Sequence, residues 1–95
     1  MRVCRWQTRM DKSIHTAEYA VLLDLLREAR LASNLTQVEL ADRLGQSQSF
    51  VSKMEIGERR IDLIQLRTIC LALGTTLPAF VKQLEDRLAK RPDAP

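Results

Sequence analysis

Residues 36–57, T-Q-V-E-L-A-D-R-L-G-Q-S-Q-S-F-V-S-K-M-E-I-G, read as two short helices joined by a tight turn. Thr36 and Glu39 have the T-x-x-E spacing of a capping box, and Leu35 with Leu40 brackets it as a hydrophobic staple. The helix opened there ends at Leu44, where Gly45 supplies the positive φ of the turn. Ser47 caps the next helix, which runs from Gln48 to about Ile56 and stops at Gly57. Neither helix is long enough to stand alone in water, so packing has to hold them. That packing needs a small residue where the helices cross, which is Ala41, and an anchoring pair one turn apart, Val51 and Met54. Ser47, Gln48, Ser49, Ser52 and Lys53 are then left pointing away from the core.

The flanking segments supply the body. A helix is expected after Thr16, running to about Ser33, with Tyr19, Leu22, Leu23, Leu26 and Arg30 on one face and Leu25 and Leu31 broadening it. Asn34 ends it in the left-handed conformation. Beyond the loop Glu58-Arg59-Arg60, a second capping box (Asp62, Gln65) with its staple (Ile61, Leu66) opens a fourth helix. That helix carries Leu63, Leu66, Ile69, Cys70 and Leu73 on one face and ends at Gly74. Thr75 or Thr76 caps a fifth, with Pro78 in its first turn and Leu77, Phe80, Val81, Leu84 and Leu88 as its stripe. The reading is all-α: one five-helix domain over residues 16–89, between a basic arm (1–15) and a tail (90–95) expected to fray.

Ninety-five residues suffice for a single small core. The arm holds Arg2, Arg5, Arg9 and Lys12 against Asp11, so it accounts for the whole net charge of +3. It is expected to be a flexible tail, with phosphate tracking or minor-groove entry as the functional alternative. No apolar run approaches a membrane span, and the arginines have no apolar stretch behind them, so no membrane role and a cytoplasmic location are expected. Cys4 and Cys70 are too far apart to suggest a zinc or redox pair, and Cys70 reads as a core hydrophobe. A phosphate loop, a cysteine beside a histidine and a second histidine are all missing, so no catalytic residue, metal or cofactor is expected. His15 reads as a helix-start residue.

The outward residues of the second short helix suit a DNA major groove. Gln pairs bidentately with adenine, Lys reaches guanine, and Ser serves base or phosphate. Arg59 and Arg60 follow where phosphates would pass. Phe50 is expected to pack rather than to touch a thymine methyl.

From about Thr16 to Leu88 the chain resembles the lambda-repressor-like, or Cro-repressor (XRE), helix-turn-helix family. The match is carried by L-T-Q-V-E-L-A-D-R-L-G at 35–45, Q-S-F-V-S-K-M-E at 48–55 and G-E-R-R at 57–60. The resemblance implies a five-helix domain that regulates transcription as a homodimer on a palindromic operator in double-stranded DNA. It implies that Gln37 touches a phosphate and braces the recognition helix, and that Arg30 and Glu55 form a buried salt bridge. Ser47, Gln48, Ser49, Ser52 and Lys53 match base- and backbone-contacting positions. Two departures stand out: Ile56 where the family often has Asn or Arg, and Asn34 where Gly is more usual. An apolar edge at Leu84 and Leu88 is the candidate dimer contact. The rival readings are an antitoxin or restriction–modification controller of the same fold, or a module binding a partner protein through its fifth helix. No ligand-sensing domain follows that helix, so no small-molecule effector is expected.

Overall fold

The computed structural model describes residues 17–90, which form five α-helices: α1 (Ala17–Ala32), α2 (Gln37–Leu44), α3 (Gln48–Glu55), α4 (Leu63–Ala72) and α5 (Leu77–Ala89). The arm, the Thr16 cap, Cys4, His15 and the tail beyond Lys90 lie outside the described residues. Each helix sends at least one side chain into a common core: Leu26 from α1, Leu40 from α2, Val51 and Met54 from α3, Ile69 and Cys70 from α4, and Phe80 from α5 are all fully buried. Cys70 is a free thiol among apolar neighbours, and burial pushes its pKa up, so it is an inert packing residue.

The connections are built from one repeated unit. At three of the four, a residue with positive φ (Asn34 at 61°, Gly45 at 66°, Gly74 at 80°) is followed by one residue and then by a Thr or Ser N-cap. The intervening residue donates its N–H back across the end of the preceding helix: Leu35 to the Arg30 carbonyl at 3.2 Å, Gln46 to Ala41 at 2.9 Å and Thr75 to Cys70 at 3.0 Å. These are Schellman closures. Three residues thus end one helix, reverse the chain and start the next. Asn accepts the left-handed conformation, so Asn34 closes α1 as a glycine would.

Both capping boxes form. The Glu39 carboxylate accepts from the Thr36 N–H at 2.9 Å while the Thr36 hydroxyl accepts from the Glu39 N–H at 3.1 Å. Asp62 and Gln65 repeat the exchange at 2.7 and 3.1 Å. The Thr36 backbone bond holds the Glu39 carboxyl below the usual glutamate range, and the Arg87 guanidinium does the same for Glu28 across the α1–α5 contact. A depressed pKa places the stabilisation above the ordinary carboxylate pKa and removes it as acid carries the pH down through the lowered one.

The width of the apolar faces is narrower than periodicity alone indicates. Leu31 is 53% exposed, because it sits five residues from Leu26 and so about 140° round the helix. Leu63, 63% exposed, is the first residue of α4. Val81 on α5 is also exposed, while Leu77, Leu84 and Leu88 are half-buried. Helix ends fall at Ala32 and Glu55, one residue short of the expected Ser33 and Ile56.

Gly57, which ends α3, is buried with φ +84°, and a Cβ there would lie 3.1 Å from Leu23 Cδ1. Gly74 has a similar φ of +80° but open space around it. Gly57→Ala is therefore expected to lower thermal stability more than Gly74→Ala. Both carry the left-handed penalty of about 1–2 kcal/mol, and only the first also displaces Leu23. Equal losses in a melting experiment would show that Leu23 does not constrain this turn.

Candidate nucleic-acid interface

The division of α3 into two faces follows from its anchoring. Val51 and Met54 are 0% and 1% exposed, and Ala41 of α2 is 1% exposed against them. A larger side chain at Ala41 would push the two helices apart. Opposite that contact, Ser47, Gln48, Ser49 and Lys53 are exposed and Ser52 is half-buried. Ser47 has a second use as the N-cap, its hydroxyl accepting from the Phe50 N–H at 3.2 Å. Its oxygen is therefore partly committed to the helix start.

Beneath this face lies a continuous polar network. The Arg30 guanidinium reaches Glu55 through Nε to Oε2 at 2.6 Å and through a terminal nitrogen to Oε1 at 3.1 Å. Its other terminal nitrogen donates to the Leu35 carbonyl at 2.8 Å. The two side chains are only 8% and 4% exposed. Glu55 Oε1 also accepts from Gln37 Nε2 at 3.0 Å, and Gln37 Oε1 accepts from Gln48 Nε2 at 2.7 Å. A buried charge on α1 is thus joined, through the end of α3 and the start of α2, to the first outward side chain of α3. The sequence signals for capping do not reach this far, since the partners lie 25, 18 and 11 residues apart.

The segment after α3 adds two cations. Arg59 and Arg60 are both exposed, and the Glu58 and Arg59 N–H groups fold back onto the Lys53 carbonyl at 2.9 and 3.2 Å. The Arg59 guanidinium stacks over the Phe50 ring, 4.7 Å from its centroid. Phe50 itself is half-buried and packs against the core. Stacking engages the face of the guanidinium and leaves its N–H edges available to donate. Nothing in the sequence pattern singles out this Arg59–Phe50 pair. Ile56, by contrast, is 63% exposed and adds an aliphatic side chain where the family often has a polar one.

On α5, Leu84 packs against the core cluster while staying half-buried, and Leu88 is half-buried too. The large aliphatics more than half exposed are spread over the surface: Leu31 on α1, Val38 on α2, Ile56 after α3, and Leu63, Ile64 and Leu71 on α4, at 52–70% exposure. An open cavity of about 200 Å³ between α2, α3 and α4 is lined by Leu44, Gln46, Phe50, Ile64, Gln65, Thr68 and Ile69, with no titratable group among them. Among the described residues, no cluster of His, Cys, Asp and Glu has the geometry to hold a metal ion, and no single helix is long and apolar enough to cross a membrane.

Two short helices crossing at a small residue, with the second anchored on one side and polar on the other, define a helix-turn-helix DNA-binding domain. Residues 26–80 match the family model described as helix-turn-helix. The solved structure of an XRE-family-like protein from Pseudomonas syringae pv. tomato is 51% identical, with a TM-score of 0.73 over 83% of this chain and 96% of that one. Two further structures share the fold. A variant of a restriction–modification controller protein is 21% identical, with a TM-score of 0.72 over 80% of this chain and 96% of its own. The clp gene regulator ClgR of Corynebacterium glutamicum is 24% identical, with a TM-score of 0.66 over 75% and 91%. No match was found among curated proteins. The chain belongs to the XRE family of helix-turn-helix transcriptional regulators, a DNA-binding family and not an enzyme family.

Removing one partner of the Arg30–Glu55 pair leaves the other charge buried. Glu55→Ala is expected to cost about 3–5 kcal/mol in denaturant unfolding, whereas Arg30→Met with Glu55→Leu recovers most of that loss. A single variant that unfolds like the parent would show that the pair is more hydrated than its burial indicates.

Proposed function

We propose that this regulator is a repressor or autoregulator that acts in the cytoplasm as a homodimer on a palindromic operator. Each subunit places α3 in a major groove, and two-fold symmetry sets the half-sites about one helical turn (~34 Å) apart. The observation that carries the reading is the fixed orientation of Gln48. Exposed on α3 and bonded to Gln37, it is held at the groove-facing start of the helix before any DNA arrives. Preorganised side chains lose less entropy on binding.

Gln48 and Lys53 read bases, with Ser47, Ser49 and Ser52 contributing base or backbone contacts. Gln37, Arg59 and Arg60 hold phosphates and fix the register. The half-buried α5 edge at Leu84 and Leu88 is the candidate contact with a second copy, and the exposed Ile64 and Leu71 on α4 offer a further apolar surface.

Gln48→Ala is expected to weaken operator binding by about 1–3 kcal/mol and to relax preference at one base-pair position per half-site. Equal losses on operator and on random duplex, measured by fluorescence anisotropy, would contradict a base contact. Arg59→Ala should weaken both DNAs alike and make the slope of log K against log salt shallower by about 0.9 per lost contact. An unchanged slope would remove Arg59 from the phosphate contacts.

A further inference from the structure

Arg59 is tied to α3 at both of its ends. Its N–H and that of Glu58 donate to the Lys53 carbonyl in the last turn of the helix, at 3.2 and 2.9 Å. Its guanidinium lies over the ring of Phe50, the third residue of the same helix, 4.7 Å from the ring centroid. The side chain therefore runs back along α3 from the loop that follows it. An exposed arginine ordinarily samples many rotamers and loses them when it binds. Phe50 removes much of that freedom in advance. Half-buried and packed against the core cluster, its ring is a flat platform fixed by its neighbours. Arg59 stays exposed all the same, so its N–H edges are open to an anion.

We propose that Phe50 is a positioning residue for DNA binding. It touches no phosphate itself. It holds the Arg59 guanidinium in the frame of the recognition helix, so that α3 and the cation reach the duplex as one body. With the guanidinium over its ring, Phe50 is placed to carry Arg59 and not to read a base. The inference rests on Arg59 contacting a phosphate, and its tests separate the two, because cation and platform leave different signatures. Losing the cation removes a contact that releases counterions, which makes the salt slope shallower. Losing the platform keeps that contact and its slope, but Arg59 then has to be ordered during binding, which weakens affinity about two- to tenfold for each bound subunit.

The test is a double-variant cycle, with affinity for operator and for random duplex measured against salt. Phe50→Leu keeps an apolar side chain against the core and loses the flat face. It is expected to weaken binding to both DNAs about two- to tenfold per subunit, with the slope of log K against log salt unchanged. In the Arg59→Ala background the same substitution is expected to change nothing further, and Phe50→Tyr is expected to keep parental affinity. A loss of packing alone would be the same in both backgrounds. If Arg59→Ala leaves affinity and slope at parental values, the phosphate contact fails and the platform with it. If Arg59→Ala has its expected effect, three results show that the platform alone is wrong: no loss in Phe50→Leu, an equal loss in both backgrounds, or a loss confined to the operator.

A second measurement needs no DNA and holds even for a Phe50→Leu that folds poorly. In the free parent protein, NMR relaxation is expected to give the Arg59 Nε–H a higher order parameter than that of Arg67, which is exposed on α4. Equal mobility of the two side chains would overturn the proposal.

Discussion

The structure depends on one buried ion pair. Arg30 and Glu55, 8% and 4% exposed, join the last turn of α1 to the last residue of α3. An isolated charge at either site would be costly in such surroundings, so each side chain holds the other element in place. Arg30 also donates to the Leu35 carbonyl, in the connection between α1 and α2. One guanidinium therefore fixes three parts of the chain that meet beneath the outward face of α3. Helices of eight residues cannot hold themselves together in water, and this pair with the apolar anchors Val51 and Met54 is what holds α3.

The same pair reaches the outward face of α3. Glu55 shares Oε1 between Arg30 and Gln37, and Gln37 passes the constraint to Gln48. The outermost link of this network is exposed and the innermost is buried, so the orientation of a surface amide is determined by charges that solvent does not reach. Arg59 shows a simpler version of the principle, a surface cation given a defined place by stacking on a half-buried ring. In both cases the core does more than support the surface, because it sets the geometry of side chains available to a ligand.

How much of this was legible in the sequence depended on the range of each interaction. Caps and turns were: Thr36 with Glu39, Asp62 with Gln65, Asn34, Gly45 and Gly74 act on residues three to five positions away, and each was read from its spacing. The α3 anchors Val51 and Met54 were legible for the same reason. Burial was less so. The period places Leu31, Leu63 and Val81 near an apolar face, but how far that face is covered depends on where the other helices lie. The Arg30–Glu55 pairing came from a family resemblance, since 25 residues separate the partners and no local pattern joins them. The Gln37–Gln48 bond and the Arg59–Phe50 stack needed the fold itself. How far Leu84 packs against the core also depended on the placement of the other helices.

The outward face of α3, held from beneath by the Arg30–Glu55–Gln37–Gln48 network, is the surface we propose meets DNA. The most direct test is to map amide chemical-shift changes in the isotopically labelled protein as a short duplex is added at low salt. The largest changes are expected at Gln37, from Ser47 to Lys53, and at Arg59 and Arg60, with α5 unmoved. Changes concentrated on α5 or on the exposed face of α4, with α3 silent, would contradict it.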